Sequence, residues 1–331
     1  MQRLLSQEQL ERNQIMIYVT AIIIGAVIGF SSASVGSSLE VLIYPVLGIL
    51  LYVSFLEVPF SELRNAFTGG RFMLATLAVN FLAVPVVVWP LSRFVAGDEA
   101  VLLGVLLVLL TPCIDYVIVF SGLGGGDEKL VLAAAPVLMV AQMLTLPAYL
   151  WLSMGGEVLS VMSAGPFLEA FLLLIILPLG IALATQYLSR RSSEGSLASK
   201  WEQGMGYLSV PSLALTLLVV VASQVPELEG AFGQVASVVP IYVAFLVIMA
   251  LVGRLATKLF GLGTEAGRAL IFTGATRNSL VVLPLALALP ASFTLTPAIV
   301  VTQTLVEMVG MLVYMWGIPV WVLPDKEAEG T

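Results

Sequence analysis

The stretch "EAVLLGVLLVLLTPCIDYVIVFSGLGGG", residues 99–126, is apolar at both ends and polar in its middle. The polar interruption contains Thr111, Pro112, Cys113 and Asp115, and Cys113 is the only cysteine in the chain. A continuous transmembrane helix satisfies all of its own backbone groups, so a break in an apolar run exposes backbone groups that a ligand can use. The stretch therefore predicts a broken transmembrane helix at a binding site.

The composition of the whole chain is that of a membrane protein. Of its 331 residues, 59% are hydrophobic and 11% are charged, and the mean hydropathy is +1.04. Apolar runs of about 18 to 25 residues, long enough to cross a bilayer as helices, recur along the chain. They predict ten spans, at residues 14–32, 39–58, 71–92, 100–123, 130–153, 166–188, 206–225, 234–256, 267–289 and 297–322. We therefore expect an all-α membrane protein whose residues 1–331 form a single integral membrane domain.

The positive residues predict the orientation of the spans, because lysine and arginine are retained on the cytoplasmic side. One set of alternating loops and both termini carry Arg3, Arg12, Arg64, Arg71, Lys129, Arg190, Arg191, Lys200, Arg254, Lys258, Arg268 and Lys326. The opposite set carries Arg93 alone. We expect a multi-pass protein with cytoplasmic N- and C-termini and no removable signal peptide.

Composition also argues against several classes of partner. The formal charge of -7 argues against nucleic acid. One cysteine and no histidine exclude disulfides and the familiar zinc clusters, and no cofactor motif is present. We therefore expect no cofactor and no bound metal.

The ninth run, "GRALIFTGATRNSLVVLPLALALP" at residues 267–290, is apolar at both ends and polar in its middle. The fourth run, within the stretch quoted first, has the same pattern. The fifth and tenth runs also match, since Gln142 and Gln303 each precede an aromatic-rich end. Ten spans divide into two sets of five, and a duplicated half with an odd number of spans inserts upside down. The pattern predicts two inverted five-helix repeats, residues 14–153 and 166–322, with broken fourth and ninth helices near the membrane midplane, as in secondary transporters.

The local order of residues predicts where the second half of the fourth helix begins. Thr111 fits an N-cap and Pro112 the first helical position, so Cys113 is expected in the first turn. The positive end of the helix dipole favours the reactive thiolate form there. The alternative is that Cys113 is an inert, small apolar filler.

Ionisable residues within apolar runs are costly and mark candidate sites. Glu307, Arg277 and Asp115 are such residues. Glu307 is interpreted as a proton or cation site, and the alternative is a structural ion pair with Arg277. Neutral amides and hydroxyls that can ligate a cation or a hydroxylated substrate are Gln142, Gln303, Asn278 and Thr111. Asn80 and Tyr116 are assigned to packing.

Two segments resemble a known family. "TPCIDYVIVFSGLGGGDEKLVLAAAPVLMVAQMLTLPAYLWL" at residues 111–152 and "QTLVEMVGM" at residues 303–311 resemble the Acr3-type arsenite-efflux proteins of the bile acid:sodium symporter superfamily. The resemblance implies a plasma-membrane exporter of arsenite, in some members also antimonite, that works as a proton antiporter and not as an enzyme. It also implies that Cys113 and Glu307 take part in metalloid transport.

These observations combine into one hypothesis about the site. Cys113 is expected to be the metalloid ligand, and protons the coupling ion. The expected substrate-binding residues are Cys113, Glu307, Arg277, Asn278 and Thr111, and the expected coupling-ion residues are Glu307, Asp115, Gln142 and Gln303.

Three alternatives remain open. The first is a sodium-coupled symporter of an organic anion, with the anion on Arg277 beside a half-helix N-terminus and Na⁺ among Asp115, Gln142, Gln303 and Glu307. The second is an intramembrane enzyme with Cys113 as nucleophile, for which the chain offers no histidine as base. The third is a passive metalloid channel, which would not concentrate its substrate.

Overall fold

A computed structural model describes residues 7–58, 70–114, 116–161, 172–192, 196–226 and 232–325. The described part of the chain is helical, which confirms the all-α prediction. Its helices are α1 (Gln7–Ser31), α2 (Ala33–Leu39), α3 (Ile43–Glu57), α4 (Gly70–Ala78), α5 (Val84–Ser92), α6 (Glu99–Leu109), α7 (Val117–Leu123), α8 (Glu128–Val161), α9 (Leu177–Arg191), α10 (Leu197–Gly206), α11 (Ser209–Gln224), α12 (Phe232–Leu259), α13 (Thr264–Ala275), α14 (Ser279–Leu287) and α15 (Leu295–Gly317).

Several of these helices are long and apolar enough to cross a membrane. Among the described residues there are four such runs, Gly70–Val95, Glu128–Met154, Phe232–Leu259 and Leu295–Val322. A fifth is obtained if α10 and α11, which are bent by 50° at their junction, count as one span. These runs support a multi-pass membrane protein, whereas the count of ten spans stays a prediction.

Large apolar side chains lie on the outer surface of the helices. Val86, Leu144 and Phe30 expose 73%, 74% and 75% of their area, and they belong to three different helices. A soluble domain does not expose apolar side chains over so many of its helices. The exposed side chains fit a surface that faces lipid.

The chain divides into two compact units, and each draws on two separate stretches of sequence. Unit 1 consists of Met1–Val58 and Ala164–Phe232, and unit 2 of Pro59–Ser163 and Gly233–Thr331. The inverted-repeat boundaries at residues 14–153 and 166–322 stay a prediction.

Unit 1 is built around the close approach of α1 to α11. A Cβ atom at Gly25 would lie 2.7 Å from the carbonyl oxygen of Leu218, and one at Gly29 would lie 2.9 Å from that of Ala222. Two glycines four residues apart lie on one face of a helix, so they let the two backbones touch. In the same unit, Gln186 Nε2 donates to carbonyl oxygens at the C-terminal end of α3.

Unit 2 contains both interruptions predicted from the sequence. The helical run from α6 to α7 is broken after Leu109 and resumes at Val117, and the run from α13 to α14 is broken at residues 276–278. An isolated antiparallel bridge between Pro112 and Arg277 pairs the two broken segments. The crossing is our name for these paired segments, residues 110–114 and 276–278.

The helices that lead into the crossing are fixed by polar side chains. Asp98 Oδ1 accepts hydrogen bonds from the backbone N–H groups of Ala100 and Val101 and so caps α6. Asn278 Oδ1 accepts one from Val281 N–H, at 3.1 Å, and caps α14. Such caps satisfy N–H groups that the helix leaves unpaired, so each half-helix has a defined starting point.

Candidate functional site

The two halves of the crossing are held together through their backbones. The N–H of Cys113 donates to the carbonyl oxygen of Thr276 at 3.2 Å, and the N–H of Asn278 donates to that of Thr111 at 2.8 Å. Extended backbone inside a membrane must find partners within the protein. Each interruption supplies partners to the other, which explains why two breaks five predicted spans apart occur together.

The predicted start of the second half-helix was wrong. Helix α7 begins at Val117, so Pro112 and Cys113 lie in extended backbone and not in a first helical turn. Thr111 does not cap this helix either, because the N-cap position is Tyr116 and no side chain caps the helix there. The Thr111 hydroxyl donates to the carbonyl oxygen of Leu107 at 2.7 Å. The physical reason is that the N–H of Cys113 already pairs with the other interruption. Cys113 is buried, with 1% of its area exposed.

Glu307 on α15 contacts one half of the crossing, at Arg277, and also Tyr116, which follows the other half. Its Oε2 accepts hydrogen bonds from the backbone N–H of Arg277 at 2.8 Å and from Nε2 of Gln303. Its Oε1 accepts one from the hydroxyl of Tyr116 at 2.7 Å. The side chain is 1% exposed. Three hydrogen-bond donors converge on one buried carboxyl group. This carboxyl group can bind a proton if one of the three donors gives up its hydrogen bond.

The side chain of Arg277 bonds to a separate set of oxygen atoms and not to this carboxyl group. Its NH2 group donates to Asn80 Oδ1 at 2.8 Å and to the carbonyl oxygens of Thr273 and Gly274 at 3.0 and 2.7 Å. Its NH1 group donates to the carbonyl oxygen of Leu109 at 3.4 Å. The side chain is fully buried. Four oxygen atoms therefore surround the NH1 and NH2 end of the guanidinium group.

The structural ion pair between Glu307 and Arg277, weighed as an alternative from the sequence, is not formed. Within the described ranges the only ion pair joins Arg268 to Asp325. Glu307 contacts the backbone of Arg277 instead of its guanidinium. The two opposite charges still attract each other, although their side chains form no direct ion pair.

The assignment of Asn80 and Tyr116 to packing was wrong, since both bond to the charged residues of the site. Asn80 lies in a π-helical turn, Val79–Ala83, that joins α4 to α5. Such turns are frequent at functional sites. The signal available in the sequence was a buried amide in the middle of an apolar run, the same signal that singled out Gln142.

Three amide side chains that were predicted as site residues carry buried atoms with no hydrogen-bond partner in the described part of the chain. They are Nε2 and Oε1 of Gln142, Oε1 of Gln303 and Nδ2 of Asn278. No hydrogen bond described here connects Gln142 to the crossing. Asp115 lies outside the described residues. Buried polar atoms are nearly always paired, so these atoms indicate a place for a ligand or water.

The described residues contain no group of three or more His, Cys, Asp or Glu side chains that could hold a metal ion. Near the crossing, the soft ligand is Cys113 and the hard oxygen ligands are carbonyl, amide and carboxyl groups. This donor set suits a thiophilic, hydroxylated solute or a monovalent cation better than a transition metal.

Residues 44–231 match the family model described as the Sodium Bile acid symporter family. A search of curated proteins found no match to the chain.

Proposed function

Because the chain belongs to the sodium bile acid symporter family and is therefore a secondary transporter, we propose that it exports trivalent arsenic across the plasma membrane in exchange for protons. Arsenite is the proposed main substrate, and antimonite shares the chemistry that the site would recognise. The termini are proposed to be cytoplasmic, as the positive residues indicate.

The observation that carries this proposal is the position of the only thiol in the chain. Cys113 lies in the crossing, where its backbone is fixed by Thr276 and the crossing contacts the carboxyl group of Glu307. Trivalent arsenic in water is the neutral As(OH)₃ near neutral pH, and it binds sulfur strongly, as soft metal ions do. One thiol can bind arsenic and release it, whereas three thiols would retain it.

The neighbouring polar atoms supply what the hydroxyl groups of As(OH)₃ would need. The partnerless Oε1 of Gln303 can accept a hydrogen bond, and the partnerless Nδ2 of Asn278 can donate one. Gln142 on α8 also has both kinds of partnerless atom, and we propose it as a further partner without a contact that links it to the crossing. Pairing these atoms on binding would remove part of the cost of burying them alone.

Coupling to protons is assigned to Glu307. The carboxyl group contacts the crossing through Arg277 N–H and Tyr116, so a change in its protonation changes the hydrogen bonds that hold the crossing. In the proposed cycle, As(OH)₃ from the cytoplasm forms an As–S bond with Cys113, and one of its hydroxyl groups leaves as water together with the thiol proton. Water reverses this reaction on the outer side, which releases As(OH)₃ and restores the thiol, and proton uptake at Glu307 accompanies the return of the empty site.

The test is As(III) accumulation in everted membrane vesicles that contain the wild type or the Cys113→Ser variant, measured by mass spectrometry with proton and sodium gradients imposed separately. We expect the wild type to concentrate As(III) under the proton gradient. We expect Cys113→Ser to fall to the level of vesicles without the protein, because a hydroxyl group does not bind arsenic as sulfur does. Equal amounts of both proteins in the vesicles are the control.

The alternative, a sodium-coupled symporter of an organic anion, is favoured by the description of the matching family. It predicts uptake of a labelled bile acid under a sodium gradient and indifference to Cys113→Ser. Against it stands the side chain of Arg277, the predicted anion ligand, whose NH1 and NH2 groups already bond to oxygen atoms. As(III) accumulation that survives Cys113→Ser would refute the proposed role of the thiol.

A further inference from the structure

We propose that the guanidinium group of Arg277 is a built-in cation, which occupies an oxygen-lined site that would otherwise bind a monovalent cation. This inference rests on the proposed function only in treating the crossing as the transport site. It goes further by assigning the cation of that site to the chain itself, so that transport requires no Na⁺.

The first step is the set of atoms around the guanidinium. Four oxygen atoms accept its hydrogen bonds: Oδ1 of Asn80 and the carbonyl oxygens of Leu109, Thr273 and Gly274. Carbonyl and amide oxygens are the usual ligands of hard cations in proteins. The chain therefore builds a cage of neutral oxygen ligands and places its own positive charge inside.

The second step is the origin of these oxygens. Leu109 is the last residue of α6, and Thr273 and Gly274 lie in the last turn of α13. The last carbonyl groups of a helix have no partner in the next turn, and together they form the negative end of the helix dipole. Both broken helices point this end at Arg277. Helix ends of this kind in broken transmembrane helices coordinate coupling cations.

The third step is the charge balance. The guanidinium is fully buried, and the nearby carboxyl group of Glu307 bonds to the backbone of Arg277. With Glu307 ionised, the two side chains sum to zero charge. Whether Glu307 is ionised or protonated, an added Na⁺ would lie beside the guanidinium, and two like charges at short range repel each other strongly in a medium of low dielectric constant. It would also compete with the guanidinium for the same four oxygens.

The fourth step is the fit of the group to its surroundings. The guanidinium carbon lies 5.5 Å from the ring centroid of Phe245, close enough for a cation–π contact. Its Nε atom has no hydrogen-bond partner in the described residues. The NH1 and NH2 end of the arginine is thus held by oxygen atoms, and the group also contacts an aromatic ring. Shortening this side chain to alanine removes the donors but none of the four acceptors, which are three backbone carbonyl oxygens and Oδ1 of Asn80.

The test is removal of this charge. Purified Arg277→Ala is heated in detergent in four separate buffers, which contain 100 mM Na⁺, 100 mM K⁺, 10 mM guanidinium, or choline as the reference cation. The melting temperature in each buffer is read from intrinsic fluorescence. We expect guanidinium and at least one alkali cation to raise the melting temperature above that in choline by about 2–6 °C, because a ligand that binds the folded state stabilises it. The wild type should show no such difference.

The matched control is Arg254→Ala, which removes an exposed arginine from α12 and should behave as the wild type. If Arg277→Ala does not accumulate, Arg277→Gln takes its place, because its amide can donate to a carbonyl group without carrying charge. A variant that responds to no cation, or a wild type with the same saturable response to Na⁺, overturns the proposal. The melting temperature is measured without arsenic, so the outcome for this proposal does not depend on whether arsenite is the substrate.

Discussion

Glu307→Gln is expected to reduce proton-driven export of As(III) to the level of empty vesicles and to leave the protein folded. A glutamine side chain cannot take up or release a proton, so the substitution removes the coupling to protons. Glutamine keeps the size and shape of the glutamate side chain. Its oxygen can replace Oε2 and accept from Arg277 N–H and Gln303. Its NH₂ group can face Tyr116, whose hydroxyl lies 3.2 Å from the carbonyl oxygen of Arg277 and can turn to it.

Glu307→Ala separates the two roles of this side chain. Alanine leaves Nε2 of Gln303 and the N–H of Arg277 without their acceptor, and each buried unpaired group costs about 1–3 kcal/mol. The Tyr116 hydroxyl keeps the carbonyl oxygen of Arg277 as an acceptor. We therefore expect loss of export together with a lower melting temperature, whereas Glu307→Gln should lose export alone. The matched control is Glu265→Gln, at an exposed position in the first turn of α13. Export by Glu307→Gln that still depends on the proton gradient would contradict the proton-site assignment.

Gly25→Val is expected to abolish most of the folded protein by forcing α1 away from α11. Even a Cβ atom at this position would lie 2.7 Å from the carbonyl oxygen of Leu218 and 3.2 Å from Cβ of Val221. A backbone carbonyl cannot rotate aside as a side chain can, so the helices must separate. Overpacking of this kind costs about 1–3 kcal/mol and occasionally more. The measurement is the monodisperse fraction in size-exclusion chromatography and its melting temperature.

The matched control is Gly48→Val on α3 of the same unit. A Cβ atom at Gly48 meets no atom within 4 Å. Valine also has a higher helix propensity than glycine, so this variant should fold as well as the wild type or slightly better. If Gly25→Val folds as well as Gly48→Val, the close approach of α1 to α11 is not required for the fold of unit 1.

The sequence predicted the places where helices break because the residues at the breaks contradict a helix in apolar surroundings. "TPCID" and "TRNS" do so, and both runs are broken there. The position at which α7 resumes was mispredicted, because the capping rule considers only the local chain. The N–H of Cys113 bonds to Thr276, a residue 163 positions further along the chain, and local sequence contains no information about that partner.

The sequence analysis selected several residues that the structure brings together, but it did not predict which atoms bond to which. Glu307, Gln303 and Arg277 were selected as polar residues within apolar runs, and they do lie together. The direction of the Arg277 side chain follows from two helix ends that only the fold brings together. Asn80 was missed because a lone amide in an apolar run reads as packing until its partner is known.

The burial of Cys113 has a practical consequence for following this transporter at work. The native chain already has a single cysteine, so site-specific labelling needs no replacement of other residues. The side chain is 1% exposed, and a membrane-impermeant maleimide can modify it only after water reaches the crossing. The rate of labelling from each side of the membrane therefore reports to which side the crossing opens, and how often.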